Sequence, residues 1–290
     1  MTFPIQTITS LDDPRVAGYR NLRERSLRNE GLFITEGALL AERLLQSRFP
    51  VESLLVTVEN AARFAGLMHG LVQESRRNGA PLYVAQAALM RQIVGFDFHR
   101  GVLGLGRRLP FPNAASLVEQ LVESAPSNGP LRLVACPGTE SGENLGLILR
   151  SAAAFSVQGV LLPGEGADPL SRRCLRQSMG SALALPLARS ADLLPELCAL
   201  RQSVGLRLVA AVAGGSGGNG KSGGVVSLSD FTWPARVALV VGNEFHGLDS
   251  LWLDECDYRV TIPLSPGCDS LNVAVATGVI LHHWREHTEL

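Results

Sequence analysis

Apolar and polar positions alternate along this chain in two rhythms, a helical one and a strand-like one. Residues 15–28 carry a helix-like pattern, and Thr35-Glu36-Gly37 opens a second predicted helix that runs to about Ser47. The run Ser53-Leu-Leu-Val-Thr57 reads as a strand, as do Pro81-Leu-Tyr-Val84 and Gly101-Val-Leu-Gly-Leu105. Helices and strands thus alternate from the start, which predicts a small α/β unit. The stretch Arg107-Arg-Leu-Pro-Phe-Pro112 breaks the periodicity and predicts a linker, with domains expected over residues 1–108 and 109–290.

Beyond the linker an amphipathic helix is predicted at about Ala115 to Glu123. The apolar run Leu131-Arg-Leu-Val-Ala-Cys136 then passes through a glycine-bearing loop into a helix from about Asn144 to Phe155. Three further runs, Val157–Leu162, Leu206–Val212 and Ala235–Val241, repeat the buried-strand signature with helices between them. Strands that are apolar on both faces and separated by helices predict a parallel, doubly wound α/β sheet covered on both sides.

Composition narrows the class. With 290 residues and 46% hydrophobic content, two ordinary cores can be filled. The N-terminal residues have no basic signal-like region, and no apolar run approaches the roughly 20 residues that span a bilayer, so a cytoplasmic protein with no membrane partner is expected. Cys136, Cys174, Cys198, Cys256 and Cys268 are odd in number and scattered, which suggests neither disulfides nor a zinc site. The histidines show no metal-ligand spacing either, so no metal is expected. A net charge of −1 hides local clusters. Arg15, Arg20, Arg23, Arg25 and Arg28 fall in one short stretch with a single acid, Glu24. Such a cluster suits phosphate contact, and equally a solvated helix face.

Residues 215–222, Gly-Ser-Gly-Gly-Asn-Gly-Lys-Ser, satisfy the phosphate-loop pattern G-x-x-x-x-G-K-S. A phosphate loop must open a helix, however, and the residues that follow (Gly223-Gly-Val-Val-Ser-Leu-Ser) are poor helix formers. The segment is read as a Gly/Ser surface loop.

Three segments after the linker carry chemistry at strand ends, where open α/β sheets bind ligands. In Asn144-Leu-Gly-Leu-Ile-Leu-Arg150 a lone arginine sits in an apolar helix and requires a partner, either a carboxylate or a substrate phosphate. Gly242-Asn-Glu244-Phe-His-Gly247 places a carboxylate between glycines that allow close backbone approach. Ile262-Pro-Leu-Ser-Pro-Gly-Cys-Asp-Ser270-Leu-Asn272 runs from a strand end into a loop, where Ser270 is expected to cap a helix reaching about Trp284, with Asn272 in its first turn. That helix, with Val273, Val275, Ala276, Val279 and Ile280, is apolar enough to enter a core or a dimer interface.

In order and spacing these segments resemble motifs 1, 2 and 3 of the SpoU/TrmH branch of the SPOUT methyltransferases. The small-residue segment Ser178-Met-Gly180-Ser-Ala-Leu with Pro186 resembles the stretch between motifs 1 and 2. Ile8-Thr-Ser10, Pro14-Arg15, Phe33-Ile-Thr-Glu36-Gly37 and His99-Arg-Gly101 resemble the L30e-like substrate-binding domain joined to such enzymes. The resemblance implies a C-terminal trefoil-knotted domain, a homodimer through that domain, S-adenosylmethionine as cofactor, and methylation of a ribose 2′-hydroxyl in rRNA or tRNA. By the same resemblance Gly242, Asn243, Glu244, Gly247, Ile262, Leu264, Ser270 and Leu271 hold the cofactor. Asn144, Arg150, Glu244, Ser270 and Asn272 line the reaction site, and Arg15, Arg20, Arg23, Arg28 and Glu36 bind RNA.

The chain departs from the family pattern at four places. Ser141-Gly142 stands where Asp-Pro is common, Phe245 where glycine is, Leu264 where methionine is, and Ala274 where serine is. The family proposal makes the motif 1 arginine a general base, yet a guanidinium with a pKa above about 12 stays protonated at neutral pH. Binding of the neighbouring phosphate or of the developing alkoxide is the role expected for Arg150. His246 lies in a variable motif position and is read as a surface or pocket residue before a base. The competing class is a non-catalytic RNA-binding or assembly protein that keeps the fold.

Overall fold

The computed structural model describes residues 4–20, 24–73, 79–95, 100–125, 129–214 and 224–287. Their contacts sort the chain into one unit of Met1–Pro110 with Leu170–Ala184 and another of Phe111–Pro169 with Leu185–Leu290. The glycine-rich stretch 215–222, Arg23, the side chain of Arg25 and His99 lie outside the described residues.

The first unit runs β1 (Ile5–Ile8), a 3-10 turn (Pro14–Tyr19), α1 (Glu24–Asn29), β2 (Leu32–Glu36), α2 (Ala38–Gln46), β3 (Val51–Thr57), α3 (Val58–Gln73), β4 (Leu82–Ala85), α4 (Ala87–Val94) and β5 (Val102–Arg107). The sheet order is β1-β4-β3-β5-β2. β4 pairs in parallel with β1 and β3, whereas β5 is antiparallel to β3 and β2. Gly106 shows why β5 carries small residues, since a Cβ there would lie 2.5 Å from the Phe33 ring. Phe33 in turn meets Phe49 edge-on at 5.4 Å, and the buried Tyr19 hydroxyl is 2.6 Å from Ser53 Oγ.

Two expectations are corrected in this unit. Residues 15–28 are not one helix. Asp13 caps the 3-10 turn by accepting from the Arg15 amide at 2.9 Å, and Arg20 is extended at φ −76°, ψ 131°, which ends the turn before α1 begins. Nor does Thr35 open a helix. Thr35 and Glu36 end β2, whose β-branched and aromatic residues suit a buried strand, and the helix starts only at Ala38. Between them Gly37 has φ 95°, a conformation that a side chain resists.

The second unit runs α5 (Ala114–Ser124), β6 (Leu131–Ala135), α6 (Gly142–Ala154) and β7 (Gly159–Pro163). After α7 (Arg172–Gln177), which groups with the first unit, come β8 (Leu187–Ser190), α8 (Leu193–Val204), β9 (Arg207–Ala211), β10 (Val226–Ser227), β11 (Arg236–Val240), α9 (Ser250–Glu255), β12 (Tyr258–Thr261) and α10 (Val273–Glu286). Among the described residues its seven strands are parallel, in the order β10-β12-β9-β11-β6-β7-β8. The central strands β6 and β11 are buried along nearly their whole length, as their largely apolar runs predict, with the buried Arg132 the charged exception in β6.

This order has a functional consequence. From β6 the sheet grows outward through β7 to β8, and the chain then returns to the other side, where β9, β11 and β12 lie together. The crevice at the carboxyl ends of strands that flank such a reversal is where open α/β sheets take ligands. Helix α10 is seated by Ile280, Leu281 and Trp284, all buried. The Trp284 ring stacks on Trp233 at 4.6 Å, and Trp233 Nε1 donates to His283 Nδ1 at 3.1 Å. Burial, with His287 and His282 alongside, holds the His283 pKa below its ordinary value, in keeping with an Nδ1 that must remain an acceptor for the indole.

Candidate functional site

The loop after β11 is built around two residues with no spare room. A Cβ on Gly242 would sit 2.4 Å from the Gly247 carbonyl carbon and 2.6 Å from the Leu248 nitrogen. Asn243 closes the turn. Its backbone exchanges hydrogen bonds with Gly247 at 2.9 and 3.0 Å, and its Oδ1 accepts from the amides of Phe245 at 2.8 Å and His246 at 3.3 Å. Its Nδ2 donates to the Gly138 carbonyl at 3.0 Å, which ties this loop to the one after β6. Asn243, assigned to the cofactor by resemblance, spends its side chain on holding the loop. Gly138 was not singled out from the sequence, because only the register of β6 beside β11 brings it there.

The loop after β12 delivers α10. Its cap is Asn272 and not Ser270, a correction of one half-turn. Asn272 Oδ1 accepts from Ala274 N at 2.9 Å and Val275 N at 3.4 Å, while Ser270 is exposed before the helix begins. Asparagine and serine cap equally well, so composition alone did not choose between them. Likewise α6 starts at Gly142, with Ser141 as its cap, two residues ahead of Asn144.

The α10 cap and Asn144, in the first turn of α6, bring the three segments together. Asn272 Nδ2 donates to Asn144 Oδ1 at 3.1 Å, and Asn144 Nδ2 donates to Glu244 Oε1 at 2.8 Å. The direction is forced. Asn272 Oδ1 is occupied by the α10 amides, so only its NH2 is left to face Asn144, and Asn144 must then turn its own NH2 to the carboxylate. A carboxylate at one loop is thereby aimed by two amides from two helices.

Beside Glu244 opens a cavity of about 320 Å³, walled by the ends of β9, β11 and β12 and by the first turns of α10. Gly242, Asn243, Glu244, Gly247, Ile262, Leu264, Ser270 and Leu271 all line it. Ala211–Gly214 at the end of β9 form a further wall that the sequence did not disclose, because that strand carries no polar motif. Thr261 Oγ1 lines it as well and is buried without a hydrogen-bond partner among the described residues. Volume, mixed lining and an unsatisfied hydroxyl suit a small molecule with an apolar body and several polar groups.

The SpoU rRNA Methylase family model matches residues 132–282, which contain the whole constellation. The chain belongs to the SpoU rRNA methylase family. A tRNA/rRNA methyltransferase of Mycobacterium bovis, itself uncharacterised, is 37% identical over 96% of this chain and 91% of its own length. Among solved structures, the S-adenosylmethionine-bound rRNA methyltransferase of Sinorhizobium meliloti superposes with a TM-score of 0.77 at 26% identity, covering 99% of both chains. An RNA 2′-O ribose methyltransferase superposes at 0.70 with 25% identity, covering 97% of this chain and 98% of that one.

For a SpoU protein the placement of the arginines is the informative departure. Arg150 is not embedded, contrary to expectation. It is exposed on α6, lies outside the cavity lining, and forms no ion pair among the described residues. Six residues at about 100° each turn it some 120° away from Asn144. In the other unit Arg15 is held by Asp13, with contacts of 2.5 and 2.9 Å, and by Gln6 at 2.8 Å; the Arg15 hydrogen bond holds the Asp13 carboxyl down at about 2. Arg20 donates to the Asp13 carbonyl at 2.9 Å, whereas Arg28 is exposed. Glu36 is buried and ion-paired with Arg172, so this carboxylate is a structural anchor within its unit. His246 is exposed at the cavity mouth. No group of three or more metal-ligating side chains occurs among the described residues.

Proposed function

We propose that the protein transfers a methyl group from S-adenosylmethionine to a ribose 2′-hydroxyl of rRNA or tRNA. The observation that carries this reading is the amide-aimed carboxylate of Glu244 at the mouth of the cavity, within a SpoU-family domain. The cofactor, when bound, supplies a methyl group on a sulfonium centre. The chain supplies the rest. The glycine loop at Gly242 lets backbone approach the ligand, Ile262, Leu264 and Leu271 cover its apolar parts, and the Thr261 hydroxyl offers an unused polar group. Glu244, held through Oε1 by Asn144, is assigned to orient a hydroxyl at the mouth.

Arg150 is assigned to the RNA. A side chain that remains protonated cannot act as a base, but it can bind the neighbouring phosphate or the alkoxide as charge develops. Its position also supports a homodimer. Helices α6 and α10 run side by side in the same direction, with contacts from Asn144–Asn272 to Phe155–His282, and both expose apolar residues: Leu147 on α6, Val275 and Val279 on α10. A second copy covering this face would have Arg150 at its edge. A trefoil-knotted path is assigned to this domain on the family resemblance alone. The N-terminal unit, with its five-stranded mixed sheet, is assigned the L30e-like role of RNA binding.

Replacing Arg150 tests the reading. Because the side chain is exposed, Arg150→Ala should leave the melting temperature unchanged and S-adenosylmethionine affinity intact. Methyl transfer should fall about 100-fold or more. Loss of cofactor affinity, or turnover near that of wild type, would contradict the assignment. RNA binding without cofactor binding in the wild-type protein would instead favour a non-catalytic assembly protein.

A further inference from the structure

Phe245 is 89% exposed, by far the most exposed large apolar side chain among the described residues, and it lines the mouth of the cavity next to Glu244. Such exposure does not come from loop slack. The amides of Phe245 and His246 are both bound by Asn243 Oδ1, the ends of the turn are joined by the Asn243–Gly247 pair, and the base of the turn packs so closely that a Cβ on Gly242 would lie 2.4 Å from the Gly247 carbonyl carbon. The ring is therefore presented from a fixed backbone, with only its own two side-chain torsions left to order.

We propose that Phe245 is a stacking platform for a nucleobase of the RNA substrate, at or next to the nucleotide whose ribose is methylated. This rests on the methyl-transfer reading above. The reacting ribose must come to the mouth where Glu244 is aimed, and its base, or that of its neighbour, then lies within a few ångströms, the spacing between adjacent residues. A neutral ring offers a base π-stacking and no hydrogen-bond code, so it holds any of the four bases. His246, exposed beside it with ring centroids 6.5 Å apart, widens the same surface. Phe245 thus orients the acceptor nucleotide, while sequence is read elsewhere. The apolar face on α6 and α10 is a separate surface, better suited to a second copy of the chain.

The test uses the full-length protein with unmodified in-vitro transcripts of ribosomal RNA and tRNA, and compares Phe245→Ala, Phe245→Leu and Phe245→Trp. Filter binding gives RNA affinity, calorimetry gives S-adenosylmethionine affinity, and labelled methyl transfer gives kcat and KM. Phe245→Ala and Phe245→Leu should weaken RNA binding and raise the RNA KM by about 5- to 150-fold, with cofactor affinity unchanged, while Phe245→Trp restores both. Three outcomes overturn the proposal: Phe245→Leu matching wild type, a loss of cofactor affinity with RNA binding intact, or a change in oligomeric state as the main effect. Absence of transfer by the wild-type protein would refute the methyl-transfer reading alone, because the RNA-affinity series still reports on Phe245.

Discussion

Gly242 shows how a single residue type can be dictated by a site. Its α-carbon faces the backbone of Gly247 and Leu248 so closely that a methyl group would reach within 2.4 Å of a carbonyl carbon, and backbone cannot yield as a flexible side chain does. Gly242→Ala should therefore cost about 1–3 kcal/mol of stability, as overpacking does, and should displace the turn that walls the cavity. Thermal unfolding checks the first effect and calorimetric titration with S-adenosylmethionine the second; affinity equal to wild type would show that the turn does not touch the cofactor. The sequence displayed this glycine but not its reason, which lies in a contact between the two ends of one loop. Asn243 was legible as a site residue and lines the cavity, but the use of its side chain in holding the loop was not visible in the sequence. Arg150 was misplaced for a related reason. A charge in an apolar helix reads as embedded, yet α6 exposes one face, and Arg150 falls on it beside Leu147.

At the scale of elements, the cap of α10 is also part of the site. Asn272 does two separable jobs, Oδ1 capping α10 and Nδ2 donating to Asn144. Asn272→Ala removes both and should cost about 1 kcal/mol of stability along with turnover. Asn272→Asp keeps an acceptor for the α10 amides but offers Asn144 no donor, so Asn144 turns its amide away from Glu244. This variant should melt near wild type, or slightly above it given the favourable charge at a helix N-terminus, yet lose turnover about as far as the alanine variant. Retained turnover in Asn272→Asp would break the relay argument. The parallel strands β6, β9 and β11 were plain in the sequence, because short runs that are apolar on both faces belong in the middle of a covered sheet. β2 was missed, since Thr35-Glu36-Gly37 looks like a helix start when the buried pairing of Phe33 and Ile34 with β5 is not visible. The shift of the α10 cap from Ser270 to Asn272 is the same difficulty on a smaller scale, two good caps in one stretch.

For the whole molecule, strand order decides where chemistry can occur. Among the described residues, β9, β11 and β12 bring their carboxyl ends together only because the chain crosses back past β6, and that return gathers Gly242–Gly247, Ile262–Leu271 and Asn144 from three separate stretches of sequence. Motif order and spacing announced the three stretches; the hydrogen-bonded chain that joins them is a product of the folded sheet. That site is assigned ribose methylation, and the chemical identity of the reaction product checks the assignment. Labelled methyl transfer from S-adenosylmethionine to unmodified rRNA and tRNA transcripts, followed by digestion to nucleosides, should place the label in a 2′-O-methylnucleoside. Label on a base, or none at all from a protein that binds both cofactor and RNA, would contradict it.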